Sequence, residues 1–327
     1  MAFRWGMPEN MRAVICVRPG GPEVLELHTV PVPAVRDGWS LVKVMAAGLN
    51  RSELRTRQGH SPSVVFPRVL GIECVGVVAA TSDPARPAGA AVAAVMGEMG
   101  RAFDGGYAEY ALLPDDLLMP IRTSLPWTTL AALPETFLTA QGALDTLGLS
   151  PGARLLIRGG TSSVGLAATT IAHADGIEVA ATTRRPGKAA ALTGAGADHV
   201  LIDDGGALRP PWTPTHVLDL VGARTAVESL HLVARGGTVC VAGSLSGWLV
   251  PGFEPIAMIP AGTRLTAFHS DEAKGTAGAA VLQRVIDNVE SGRYRPNIDS
   301  IYPLAEAAAA HHHMETDRAT GKVVLHP

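Results

Sequence analysis

From Ala13 to Leu113 apolar and polar positions alternate in short runs, and Gly and Pro interrupt them. Ala13–Val17, Leu25–Val30, Ser40–Ala47, Glu73–Ala79 and Tyr107–Leu113 read as strands, with turns at Pro19-Gly20-Gly21-Pro22 and Asp83-Pro84. Short strands separated by turn residues predict an all-β, barrel-like region. Near Leu125-Pro126 the period changes. Trp127–Leu147 carries apolar positions at helical spacing, with a break at Pro134. From Ala153 onward strands alternate with helices: strands over 153–158, 177–183, 199–202, 215–220, 237–243 and 263–269, and helices over 163–174, 187–194, 223–234 and 254–258. Six strands joined by crossovers predict a parallel, doubly wound sheet. A helix over 277–291 and a closing strand over 321–325 follow, and the closing strand suits the β region better than the parallel sheet.

One crossover breaks the pattern. Asp203–Thr213 holds Gly205, Gly206, Pro210 and Pro211, too short and too proline-broken for a helix. It predicts a loop across the sheet edge, where a parallel connection usually needs a dozen or more residues. Two alanine-rich tracts, Gly89–Ala94 and Ala305–Ala310, are too short to count as low-complexity regions.

The chain has 327 residues, 47% of them hydrophobic and 17% charged, which is enough for two domains with sizeable cores. A net charge of −3 gives no electrostatic footprint for nucleic acid or an anionic membrane. No apolar run reaches the length of a membrane span. Residues 1–10 have no apolar core of the kind a secretory signal needs, and read as an extension ahead of Met11. Cys16, Cys74 and Cys240 are far apart and odd in number, which predicts reduced thiols in a cytoplasm.

The most telling stretch is Arg154-Leu-Leu-Ile-Arg-Gly-Gly-Thr-Ser-Ser-Val-Gly-Leu. An apolar strand enters a Gly/Ser/Thr loop that opens a helix, the arrangement that presents bare N–H groups to a nucleotide pyrophosphate. Gly159 and Gly160 permit a tight turn and close approach. Gly165 permits helix–strand packing. Thr161, Ser162, Ser163 and Val164 fill the stretch between, where the usual fingerprint has a further glycine, and a serine still offers its N–H and a hydroxyl donor. The pattern by itself also fits an ordinary strand-to-helix turn.

These segments, with Met11-Arg-Ala-Val, Gly20-Gly-Pro-Glu-Val-Leu-Glu-Leu, Ala47-Gly-Leu-Asn-Arg-Ser-Glu-Leu, Val69-Leu-Gly-Ile-Glu, Gly105-Gly-Tyr-Ala-Glu-Tyr, Leu133-Pro-Glu-Thr, Gly196-Ala-Asp-His-Val, Gly236-Gly with Gly243, and Gly321-Lys-Val-Val, occur in one order. In that order they resemble the medium-chain dehydrogenase/reductase superfamily, and within it the zinc-free quinone oxidoreductases, the zeta-crystallin-like branch. The resemblance covers nearly all of residues 11–327. It implies an α/β protein with a GroES-like β-barrel domain over 1–126 and 270–327. A Rossmann domain with a doubly wound six-stranded parallel sheet would span 127–269. The implied activity is hydride transfer from NADPH to a quinone or an α,β-unsaturated carbonyl. An enoyl-thioester or 2-alkenal double-bond reductase is the nearest alternative, and a non-catalytic NADPH-binding sensor or scaffold is one of another class.

Zinc-dependent relatives carry Cys where this chain has Asn50, His where it has Ile72, and a third ligand near Glu135. Isoleucine cannot bind a metal, and Met96–Tyr110 lacks the four cysteines of the relatives' structural zinc. A zinc-independent enzyme with no metal ligands is expected.

The resemblance implies that Asn50 donates to a substrate carbonyl beside the nicotinamide ribose, with Thr139 close by. Gly243, Ser244 and Leu245 would lie along the nicotinamide; the alternative there is a plain turn. No Asp or Glu ends the strand over 177–183 to take a ribose 2′-OH. Thr183, Arg184, Arg185 and Lys188 fit a 2′-phosphate or, alternatively, a solvated basic loop. Glu73 reads as structural, paired with an arginine, and Arg55 and Arg57 as surface charges. Met96, Met99 and Phe103 fit either an adaptable pocket wall or ordinary core. His311-His312-His313 reads as a surface or amphipathic helix, because consecutive helical histidines point in different directions. No dedicated general acid is legible. The apolar edge strand Thr263–Ser270 predicts a homodimer with a small-molecule substrate and no nucleic-acid or membrane partner.

Overall fold

The structure is a computed structural model and describes residues 7–61 and 63–327. The first of two compact units holds residues up to Glu135 with Lys274–Glu290 and Ile298–Pro327; the second holds Thr136–Ala273 and Ser291–Asn297. In chain order the elements begin with β1 (Asn10–Cys16), β2 (Leu25–Pro31), β3 (Trp39–Leu49), α1 (Arg51–Arg57), β4 (Arg68–Val69), β5 (Glu73–Thr81), β6 (Ala91–Val95), β7 (Tyr110–Pro114), β8 (Met119–Pro120), α2 (Trp127–Leu130) and α3 (Pro134–Leu147). Next come β9 (Arg154–Arg158), α4 (Ser163–Ala174), β10 (Glu178–Thr183), α5 (Ala189–Ala195), β11 (His199–Ile202), β12 (His216–Asp219), α6 (Ala226–Leu232), β13 (Thr238–Val241), α7 (Pro255–Met258) and β14 (Arg264–Ala267). The chain closes with α8 (Gly275–Glu290), β15 (Ile298–Pro303), α9 (Ala307–Glu315) and β16 (Lys322–His326). Residues 127–135, read from the sequence as the start of the nucleotide domain, group with the first unit, and 270–273 with the second.

The first unit is β-rich. One sheet runs β2-β1-β4, and a seven-stranded sheet runs β15-β16-β3-β5-β6-β8 with β7 also pairing β3. β16 is antiparallel to β3, with Val324 opposite Gly48. Four of the unit's strands escaped the sequence pattern: the two-residue β4 and β8, and the longer β6 and β15. β6 hides in the tract Ala91-Val-Ala-Ala-Val, whose alanines have low strand propensity and are held by pairing with β5 and β8. β15 has no clean alternation and pairs with β16 across a register shift at Ile298/Ser300.

Met99 is fully buried in this unit's core, and Phe103 packs edge-on against Trp39 with centroids 5.1 Å apart. These two side chains are core, not an adaptable pocket wall. Arg57 is no surface charge either. Its side chain is 0% exposed and donates to Glu315 Oε1 at 2.9 Å.

In the second unit all six strands are parallel, in the order β11-β10-β9-β12-β13-β14. The order reverses between β9 and β12, and ligands of such sheets bind outside the carboxyl ends at that point. No helix joins β11 to β12. That connection lies on a face of the sheet and not only across its edge. Leu208 is buried with Leu156, Ala180, Val217, Leu230, Val233 and Val239, and Arg158 binds Asp203 and Glu228 at 2.7 Å each. A buried leucine and a buried arginine held by two carboxylates serve where a crossover helix would cover the strands.

The three consecutive histidines on α9 diverge. His312 is exposed, and His313 Nε2 lies 2.8 Å from Asp299 Oδ2. His311 is wholly buried, edge-on to Tyr107, with Nε2 3.3 Å from the phenol oxygen. Burial, then the nearby Arg57 cation, lowers its pKa to about 3. Between pH ~6.5 and that value the unfolded chain binds a proton that the folded chain refuses, so this residue costs stability as pH falls. His311→Phe should therefore gain on the unaltered protein by up to about 1.4 kcal/mol per pH unit across this window. Urea melts at stepped pH measure the difference, and a difference independent of pH would contradict the assignment.

Candidate functional site

At the carboxyl end of β9 the chain turns through Gly159, whose φ of 77° favours glycine. Gly159 N–H donates to Thr182 Oγ1 at 3.1 Å and Gly160 N–H to the Thr182 carbonyl at 2.9 Å. These bonds dock the turn on β10. A Cβ at Gly165 would sit 2.5 Å from the Gly160 carbonyl oxygen, so only glycine lets α4 start this close to the turn. Ser162 is the N-cap. Its hydroxyl accepts from Gly165 N–H at 3.1 Å and donates to the Gly159 carbonyl at 2.8 Å. Of the two serine hydroxyls that the sequence suggested as ligand donors, that of Ser162 is thus turned inward. Thr161, Ser163 and Val164 are half-exposed, and the first-turn amides of Ser163 and Val164 face the anion position of a helix N-terminus.

Thr183 closes β10 and is buried. Its Oγ1 accepts from Arg185 N–H at 3.2 Å, within its own turn. Arg184 and Arg185 are exposed and Lys188 is half-buried. Asp203 has its N–H on the Thr183 carbonyl and its carboxylate on Arg158.

The loop after β12 is held by a residue that the sequence pattern did not single out. Asp219 is fully buried. Its Oδ1 accepts from Val221 N–H, Gly222 N–H and Thr225 Oγ1, each at 2.9 Å, and its Oδ2 accepts from Ser229 Oγ at 2.7 Å. Four donors on one carboxylate fix the start of the loop. A Cβ at Gly243 would lie 2.3 Å from the Leu220 carbonyl oxygen, so the loops after β12 and β13 touch backbone to backbone. Gly243 and Ser244 are half-exposed, and Leu245 is 45% exposed, with its Cδ1 3.6 Å from where a Cβ at Gly159 would stand. The second unit thus gathers Gly159–Gly165, Thr183 and Gly243–Leu245 around the carboxyl ends of its strands. Thr139 is buried on α3.

Asn50 stands in the first unit as the N-cap of α1, but its side chain does not cap the helix. Its Nδ2 donates to Glu73 Oε1 at 2.9 Å, and its Oδ1 accepts from Lys322 Nζ at 2.6 Å. Lys322 and Glu73 form an ion pair at 2.5 Å, with side chains 0% and 1% exposed. Glu73 Oε2 accepts from Glu135 N–H at 2.9 Å. The partner of Glu73 is thus a lysine, not the arginine expected. Gly48 makes the room: a Cβ there would meet Glu73 Oε1 at 2.1 Å and Lys322 Cε at 2.5 Å.

Glu53, also fully buried, accepts from Ile72 N–H through Oε1 at 3.1 Å, and its Oε2 has no hydrogen-bond partner. Burial dominates there and pushes its pKa up to about 7. Lys322 was legible in principle. Lys322-Val-Val-Leu is a fully buried strand, and a lysine in such a run must be paired.

The profile of the alcohol dehydrogenase GroES-like domain family matches residues 36–123, and that of the zinc-binding dehydrogenase family matches 195–325. The quinone oxidoreductase of Homo sapiens is 30% identical over 331 residues, covering 96% of this chain and 97% of that protein. The chloroplastic NADPH-dependent alkenal/one oxidoreductase of Arabidopsis thaliana is 27% identical over 340 residues, covering 98% and 81%. A mycobacterial protein solved in complex with NADPH superposes with a TM-score of 0.86 at 29% identity, covering 97% of this chain and 100% of that one. A Coxiella burnetii quinone oxidoreductase superposes with a TM-score of 0.86 at 25% identity, covering 97% and 99%. Similarity of this extent, over both the barrel and the parallel sheet, makes the chain a member of the medium-chain dehydrogenase/reductase superfamily and an oxidoreductase that uses a nicotinamide cofactor on a small-molecule substrate.

Proposed function

We propose that this oxidoreductase uses NADPH, without zinc, to reduce a quinone or the alkene of an α,β-unsaturated carbonyl. The observation that carries the reading is the Asn50 corner. A metal placed there would need electron-pair donors, yet Asn50 Oδ1 and Glu73 Oε1 both accept from the Lys322 ammonium. The third residue, Ile72, has no donor atom in its side chain. A cation is already built in, and a divalent ion would be repelled by it. The donor set does not fit zinc, so polarisation of the substrate falls to an amide N–H.

Bound NADPH supplies the hydride, and the protein's part is to orient and stabilise. Gly159, Gly160, Thr161, Ser162, Ser163, Val164 and Gly165 would hold the pyrophosphate through backbone N–H groups. Arg184, Arg185 and Lys188, with Thr183 ordering their turn, would take the 2′-phosphate. Gly243, Ser244 and Leu245 would lie along the nicotinamide, with Thr139 beside it. Asn50 Nδ2–H would donate to the substrate oxygen as negative charge develops on it. Hydride on the β-carbon of an enone leaves an enolate, and hydride on a quinone leaves a hydroquinone anion. Water suffices to protonate either. The names of two relatives favour the enone arm: the Arabidopsis alkenal/one oxidoreductase, and the 2-methylene-furan-3-one reductase of Solanum lycopersicum, 29% identical over 342 residues.

Turnover of a panel of quinones, enones and enoyl thioesters by chelator-treated protein tests the reading. NADPH oxidation with a quinone or an enone is expected, with no stoichiometric zinc by elemental analysis. NADPH binding without turnover of any panel member would make the chain a sensor or scaffold. Activity that returns only with added zinc would overturn the metal-free chemistry.

Replacing Arg184 and Lys188 together by Glu should weaken NADPH binding tenfold or more while sparing NADH. Hydrogen bonds to charged groups contribute roughly 1.5–3 kcal/mol each, and only NADPH carries the 2′-phosphate. Equal losses for both cofactors, read by fluorescence titration, would show that these side chains do not contact it.

The chain is further proposed to be a homodimer paired through β14. That strand is one edge of the six-stranded sheet, its Leu265 is 37% exposed, and Trp248, Leu249 and Ile256 add exposed apolar surface to the same unit. Light scattering at micromolar concentration should give twice the chain mass; the mass of one chain would refute it.

A further inference from the structure

The Asn50 amide has two chemically opposite ends, and its surroundings distinguish them. An ammonium can only donate, and Lys322 Nζ lies 2.6 Å from Oδ1. An ionised carboxylate can only accept, and Glu73 Oε1 lies 2.9 Å from Nδ2. A flipped amide would set N–H groups against the ammonium and an oxygen against the carboxylate, two repulsions in a nearly dry corner. Both charges are buried, so water screens neither. Of the two Nδ2 hydrogens, one is spent on Glu73. The other is donated to Glu53 Oε1 at 3.4 Å, a long bond to an oxygen that already accepts from Ile72 N–H at 3.1 Å. Asn50 is half-buried, so its amide is not sealed off like the pair behind it.

We propose that Lys322, with Glu73, is a positioning residue that locks the Asn50 amide as a hydrogen-bond donor, so that the site selects substrates presenting an oxygen acceptor and rejects groups that only donate. This deepens the reading of Asn50 as the donor to the substrate oxygen and rests on it. Lys322 itself touches no substrate; it acts through the amide. Gly48 belongs to the device, because any side chain there would push Glu73 and Lys322 out of place.

A double-mutant cycle tests the proposal. Lys322→Met and Glu73→Gln are made together, because removing one charge alone strands the other. The paired variant should fold by circular dichroism and bind NADPH as before, with enone kcat lower on the order of 10²-fold, as for loss of an oriented donor. Asn50→Ala alone should cost about as much. Added to the paired variant, it should cost no more than about twofold further, since the amide has already lost its orientation.

Losses that multiply would show the ion pair to be structural only, and would leave the Asn50 reading standing. No loss from Asn50→Ala alone would remove that reading and this inference together. Should the paired variant not fold, NMR of the unaltered protein decides. The Asn50 side-chain amide, assigned by its disappearance in Asn50→Ala, should show one downfield, slowly exchanging Nδ2 proton. Two fast-exchanging protons would overturn the inference.

Discussion

A lysine ammonium with no exposure is tolerable only where its charge is met, and much of the first unit's Asn50 corner follows from meeting it. Taking two ions out of water costs several kcal/mol per ion, which their mutual attraction repays only with good geometry and further hydrogen bonds. Those bonds are present. Glu73 accepts from Lys322, from Asn50 and from the Glu135 backbone, and Lys322 donates to both Glu73 and Asn50. The pair ties β16, near the end of the chain, to β5 and to the residue that opens α1. Removing one partner of such a pair typically costs about 3–5 kcal/mol, because the survivor is stranded. The same corner therefore ties distant segments together and fixes which way the Asn50 amide points.

The second unit answers a different constraint. The loops at the carboxyl ends of its strands must pack closely together without collapsing. Asp219 supplies four-fold acceptance to hold one loop. Glycines at 165, 222 and 243 allow approaches that no Cβ would permit. Arg158 clamps Asp203 and Glu228 under the crossover that lacks a helix. Asp219 and Arg158 are each buried and each held by more than one partner, which is how loops acquire fixed geometry.

What the sequence could and could not reveal follows from the range of the interactions. The parallel sheet was legible because apolar runs of four to six residues alternate with helical periods, a local signal. So were the strand-to-helix turn at Gly159–Gly165 and the break at Pro134. β6 was not, because Ala93 and Ala94 become strand only through neighbours on both sides. The fates of Arg57 and His311 were not legible either. Their spacing suits an exposed face, and burial is decided by Tyr107 and Glu315, residues that fold against them from elsewhere in the chain. Asn50 was picked out as a residue. Its wiring was not, because Lys322 lies 272 positions away.

Gly48 carries a consequence for design and for descent. Engineering a metal into this corner looks like a matter of supplying ligands at positions 50 and 72. Yet the space beside them is filled by the Lys322 chain, admitted by the missing side chain at 48. Withdrawing the lysine first leaves Glu73 charged and dry, and enlarging residue 48 first expels both. Each single step passes through a less stable protein. The four positions 48, 50, 73 and 322 are thus a ratchet: sequence change can drift around them freely, but can leave the arrangement only by several coordinated substitutions.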